Sequence, residues 1–338
     1  VTQDREQYLV AYANQAARRM TVAGNVLATR QATSGPLRGN VAPYAGCVDP
    51  DFHGTLASIW LWSRTHIAAG ETRFGPQIGL AWGFVESQWE TFIPRALSDA
   101  AGDEVPFDCA MVLRAGLATH ALVGTGDWRR LGDVAARLLA GYLSDLSECN
   151  GRGFLDPGFL AWNLADYARV TGDRGLSASV GRFVDKAFGT RKPDPFADEA
   201  SSRYELFDFS STTATRILAV IATEGETPFV GTWLRERVAK LFPDGFSART
   251  QDEYAWNACV AFAAGRAYLA STEDSFRRVH EQIVDELAAT AVDLQGAIGR
   301  APGFGSETLA TFYYGLALDS MLRKPQITSL EEAIESSL

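Results

Sequence analysis

Cysteine is scarce in this chain: four residues in 338, none of them in C-x-x-C spacing. That excludes a disulfide scaffold and the short-spaced zinc modules. There is no N-x-[ST] sequon. The opening VTQDREQYLV has neither a basic nor an apolar leader region, so no secretory signal is expected and a reducing, cytoplasmic setting is. No apolar run approaches the roughly 20 residues that cross a bilayer, so no membrane span is expected. Basic clusters are missing too. A net charge of −10 and a pI near 5.0 leave no electrostatic footprint for nucleic acid. The signatures G-x-x-x-x-G-K-[ST], G-x-G-x-x-G after a strand, H-E-x-x-H and G-x-S-x-G are all absent, and no cofactor is expected.

What is present is helix. Apolar residues make up 46% and charged residues 21%, enough to bury a sizeable core. The segment Asn150–Asp173 sets the pattern: a Gly-rich turn, Asp156-Pro157, an apolar helix over Phe159–Val170, and a tight Thr171-Gly172-Asp173 turn. Aspartate before a helix accepts first-turn N–H groups, and proline there loses no hydrogen bond. Asp49-Pro50-Asp51 opens an earlier helix in the same way, and Asp49 and Asp156 are expected as caps. A helix from about Gln3 to Gln31 carries Tyr8, Tyr12, Ala16 and Met20 at helical spacing. Another, from about Thr72 to Leu97, is expected to bend near Gly75-Pro76 and to end near Pro94.

Twelve helices alternate between apolar, small-residue-rich ones and charged ones. The apolar set starts near 51, 108, 156, 208, 253 and 307, at intervals of 57, 48, 52, 45 and 54 residues. Connections after these helices are short and those before them are long. A repeat of about fifty with this asymmetry predicts an all-α fold, an (α/α)6 toroid of six hairpins. Apolar helices would lie inside and charged ones outside, with the long loops on one face. The chain reads as one domain over 1–338, with 325–338 a polar surface tail.

Gly-Phe turns before inner helices (Gly153-Phe154, Gly245-Phe246, Gly303-Phe304) and T-G-D turns after them resemble the six-hairpin toroid superfamily. That resemblance implies carbohydrate hydrolase, lyase or epimerase activity. The helix TLATFYYGLAL is similar to the last inner helix of the terpene-cyclase and prenyltransferase branch. The D-x-D-D and Q-x-x-x-G-x-W motifs of that branch are absent, and Ala310 stands where its zinc-binding histidine would be.

The inner-helix starts gather Asp49, Asp51, His53, Asp108, Cys109, Asp156, Tyr204, Glu205, Asp208, Asp252, Glu253 and Glu307 around one opening. Converging helix N-termini suit an anionic or hydroxylated ligand. Paired carboxylates there suit the acid/base work of glycoside chemistry. Asp108, Glu253, Asp208 and Glu307 are the catalytic candidates, with Asp108 and Glu253 expected to face each other across the ring. Each acid also stands where a cap or first-turn acid belongs, and Thr250–Glu253 reads as a capping box. Tyr44, Tyr204, Tyr254 and Trp256 can stack on a sugar face or shield a carbocation. His53, Asn257 and the interior Arg114 complete the substrate-binding candidates. Arg216 is the other interior arginine.

Cys47, Cys109 and Cys149 fall on the same face beside His53. They lack metal-ligand spacing, so no metal is expected. Cys109 stays a candidate thiol acid/base, as in toroidal linalool dehydratase-isomerases, and Cys259 reads as core. His66, His120 and His280 read as structural. The leading expectation is a carboxylate acid/base enzyme acting on a carbohydrate or polyhydroxylated small molecule. The alternatives are a terpenoid lyase/isomerase and a non-catalytic binding toroid. A homo-oligomer is left open.

Overall fold

The long first helix forms because one stripe repeats every third or fourth residue. Tyr12, Ala16, Met20, Ala23 and Leu27 are all buried along α1 (Thr2–Thr29). In the computed structural model, residues 2–70, 72–96, 104–123, 128–145, 156–188, 251–271, 273–291 and 307–322 are described. After α1 come α2 (Phe52–Ala69), α3 (Gly75–Ala96), α4 (Glu104–Val123) and α5 (Trp128–Asp145). They are followed by α6 (Asp156–Thr171), α7 (Arg174–Phe188), α8 (Gln251–Ser271), α9 (Asp274–Ala291) and α10 (Glu307–Asp319). Among the described residues there is no strand, only an isolated antiparallel bridge between Gln31 and Val41. The fold is all-α.

The two kinds of helix differ in burial. Every residue of α10 is buried, as is the run Gly54–Thr65 of α2, so both are enclosed on all sides. By contrast α5 buries Leu131, Ala135 and Leu139 while Arg129, Arg130 and Arg137 stay exposed. The enclosed helices pack side by side in the order α8, α10, α2, α4, α6. The one-sided helices back them: α9 on α8, α3 on α2, α5 on α4, α7 on α6, and α1 across both α10 and α2. Apolar side chains from all ten helices join one contiguous core. Glycine permits the closest crossings. A Cβ on Gly315 would stand 2.6 Å from Leu61 of α2, and one on Gly265 would stand 2.1 Å from the Ser320 hydroxyl.

The turns follow local chemistry. Gly70 takes a left-handed φ of 66° and donates to His66 O, ending α2. Gly172 is likewise left-handed (φ 71°) at the end of α6, where the Asp173 N–H donates to Ala168 O, and the Asp173 carboxylate accepts from Gly175 and Leu176 N–H to start α7.

Three expectations need correction. Asp51, not Asp49, caps α2, its carboxylate accepting the Gly54 N–H at 2.8 Å. Gly75-Pro76 is no bend: a 3₁₀ turn (Thr72–Phe74) precedes it and α3 begins at Gly75, because proline needs no partner in a first turn. For the same reason Pro106 does not delay α4, which starts at Glu104 and so carries Asp108 one turn inside the helix. The helices expected near 209–223 and 228–242, and the 325–338 tail, lie outside the described residues.

Candidate functional site

Where α2 and α4 begin, three side chains meet. Asp51 is fixed from several directions: its N–H donates to Asn40 Oδ1 at 2.8 Å, and its backbone carbonyl accepts from the Thr55 hydroxyl at 2.7 Å. Gly54 leaves room for the carboxylate, since a Cβ there would stand 2.2 Å from Asp51 Oδ2. One turn into α4, Asp108 is buried, which rules out a capping role. Between them stands His53, with Nε2 3.5 Å from Asp51 Oδ1 and Nδ1 3.6 Å from Asp108 Oδ1. The imidazole keeps 34% of its side-chain surface exposed, whereas the two carboxylates keep 5% and 10%. Phe107 sets its ring edge-on to His53, 6.0 Å between centroids, and stacks in turn on Phe159 of α6. An ionisable ring thus faces solvent beside an aromatic edge, with a carboxylate near each nitrogen.

Beside this group the start of α10 joins the same loop. The Thr308 hydroxyl donates to Ala42 O and the Thr308 N–H to Pro43 O. Glu307 is buried and paired at 2.6 Å with Arg30, from just beyond α1. That pairing gives Glu307 a structural partner.

A second polar layer lies deeper. Arg64 of α2 reaches Asp319 of α10, with Nη2 2.6 Å and Nε 2.7 Å from the same Oδ1. Arg114 of α4 donates from Nε to Asn163 Oδ1 at 2.6 Å, and its Nη2 lies 3.5 Å from Asp166 Oδ2 on α6. Its guanidinium stacks 3.4 Å above the Trp162 ring. Burial pulls the Arg114 pKa down to about 10, against the opposing pull of Asp166 and Asp319, so it remains a cation at neutral pH. Arg266 of α8, also lowered by burial, is within electrostatic range of both aspartates.

Of the residues singled out from sequence, Asp51, His53 and Asp108 come together. Glu307 stands beside the same loop, in its ion pair with Arg30. Cys109 is fully buried, and burial followed by the Asp108 charge raises its pKa, so it stays a neutral thiol. Tyr44 is half-buried on the loop before α2, and Asn257 is buried on α8. Arg114 belongs to the deeper layer. Tyr204, Glu205, Asp208 and Cys149 lie outside the described residues, as do the side chains of Asp156, Glu253 and Trp256. Sequence reasoning did not find the Asn40–Asp51 support, the Arg30 partner of Glu307, or Asp166 and Asp319. Their one signal is regular spacing. Arg64, Arg114, Asp166, Arg266 and Asp319 stand 50, 52, 100 and 53 residues apart.

The carboxylates of Asp51 and Asp108 approach opposite nitrogens of one ring, so a single ion cannot be held by all three. No group of three His, Cys, Asp or Glu converges as a metal set among the described residues. Compared with known proteins, the chain matches no family model and no curated sequence.

Proposed function

We propose that the chain closes into an (α/α)6 toroid and acts as an acid/base enzyme on a carbohydrate or similarly polyhydroxylated small molecule bound at the inner-helix starts. The observation that carries this reading is the half-exposed His53 held between two buried carboxylates. Such a ring can take a proton from a substrate hydroxyl or an acidic C–H at Nε2, whose neighbouring Asp51 Oδ1 is already engaged by the Gly54 N–H, while Asp108 at Nδ1 stabilises the imidazolium that forms. The proton then returns to a leaving or epimerised centre. Asp108 is the orienting partner best placed for this role, and Asp51 fixes the opposite edge. Asp208 and Glu253, by their place in the repeat, are the candidates for a second acid on the far side.

Support for the toroid comes from the side-by-side order α8, α10, α2, α4, α6 and from the position of α1, which backs the first and last enclosed helices together. A sixth inner helix over about 209–223 would complete the ring. Turnover of a panel of oligosaccharides and reducing sugars, compared between the native protein and His53→Gln, tests the proposal.

One observation favours a second reading, a terpenoid lyase/isomerase. The enclosed helices bring Trp60 against Phe312 and Trp162 against Phe262, with centroids 5.0 and 4.7 Å apart. Aromatic faces of this kind can shield a carbocation. A panel of isoprenoid alcohols in the same assay separates the two readings.

A further inference from the structure

We propose that a cleft at the far end of α2 from His53 is a binding site for an uncharged, mainly apolar small molecule carrying one hydroxyl or carbonyl oxygen. The cleft lies where α1 meets the end of α2 and the residues that follow α10, and its volume is about 400 Å³. That lies within the range of small-molecule sites. Its walls are Leu9, Val10 and Ala13 of α1, Ile67 and Ala68 of α2, and Met321 beyond α10. Val10 keeps 62% of its surface exposed, one of three large apolar side chains so exposed among the described residues. An apolar occupant would withdraw from water a surface that the fold leaves bare. The charged groups of the cleft are Arg64 and Glu6. The Arg64 side chain is nine-tenths buried, and its Nε and Nη2 both go to Asp319 Oδ1, so the pair is neutral as a unit. Its Nη1 makes no hydrogen bond among the described residues, yet unlike Arg114 Nη2 it is not sealed from solvent. One guanidinium nitrogen is thus left to donate within an apolar recess, and a ligand oxygen is its fitting partner. A carboxylate would meet the charges of Asp319 and Glu6, and an ammonium would meet Arg64, so an uncharged oxygen fits best. On α2, His53 and Arg64 are separated by eleven residues, or roughly 16 Å of helix rise, so this site is distinct from the His53 group.

Neither the catalytic role of His53 nor closure of the ring enters this assignment. Calorimetric titration of the full chain with 1-octanol tests it. One saturable site is expected, with octanoate and octylammonium each binding at least tenfold more weakly. Ala13→Phe and Ala68→Phe, at half-buried wall positions, place a ring in the cleft. Each should weaken 1-octanol binding at least tenfold, with far-ultraviolet circular dichroism checking that the fold is kept. Should either not fold, Val10→Asp, at an exposed wall position, replaces it with the same expectation. Absence of saturable binding overturns the proposal, as does binding unchanged in these variants. Either ion binding as tightly as the alcohol overturns the uncharged class. Binding that emerges only after residues 325–338 are removed makes the chain's own tail the occupant, and overturns the proposal too.

Discussion

Arg64 and Asp319 are 255 residues apart in the chain and meet at 2.6 Å inside the protein. One lies on the first enclosed helix and the other at the end of the last. The pair therefore closes the helix order α10 to α2, the step no short-range pattern supplies. Both side chains are about nine-tenths buried, so each depends on the other for its solvation.

Removing one partner should be worse than removing both. Arg64→Met or Asp319→Leu alone is expected to cost about 3–5 kcal/mol, because a buried charge is stranded. The double variant should recover much of that loss. Urea unfolding of the four proteins gives the coupling directly. Additive losses would contradict the pairing.

Acid should weaken the protein through His280. This ring is fully buried on α9, with Nδ1 2.8 Å from Ala261 O and Nε2 2.8 Å from the Tyr12 hydroxyl. Nδ1–H donates to the carbonyl, so in the neutral ring Nε2 is an acceptor and shares the single Tyr12 hydroxyl proton with Leu318 O, 2.9 Å from that hydroxyl. Burial lowers its pKa from 6.5 to about 4. Between those values the unfolded chain takes up a proton that the folded chain refuses, so stability falls as pH drops, by about 3 kcal/mol across the window. The slope of unfolding free energy against pH should be shallower in His280→Gln. Equal slopes would count against this assignment.

Gly54 should matter out of proportion to its size. Gly54→Ala places a methyl 2.2 Å from Asp51 Oδ2, so the capping carboxylate must move. A loss of about 1 kcal/mol in stability is expected, comparable to losing a helix cap. Activity should fall further than that loss explains, because the same carboxylate faces His53. If activity and stability fall in proportion, Asp51 is only a cap.

These sites also show what could be read from sequence. The helix over 52–69 and that over 174–188 are legible to the residue, since periodic apolar positions are bounded by Asp and Gly signals. Helix starts near proline are less legible. Pro50 draws attention to Asp49 although Asp51 is the cap, and Pro106 hides the first turn of α4. That turn decides whether Asp108 is a cap or a buried group facing His53. Partnerships such as Arg64–Asp319 and Arg30–Glu307 are set by how helices pack, and chain order carries no local trace of them. The fifty-residue spacing of the buried charges becomes meaningful only once two of the pairs are seen in contact.

Proton transfer by His53, which stands between Asp51 and Asp108, is read most simply from turnover. A panel of oligosaccharides and reducing sugars is assayed with the native protein, His53→Gln and Asp108→Asn, with unfolding midpoints measured in parallel. A turned-over substrate in the panel and a roughly 10²–10⁴-fold loss in His53→Gln, with the fold retained, are expected. Asp108→Asn should fall in the same direction. No turnover of any panel member, or turnover within twofold of native in both variants, would contradict it.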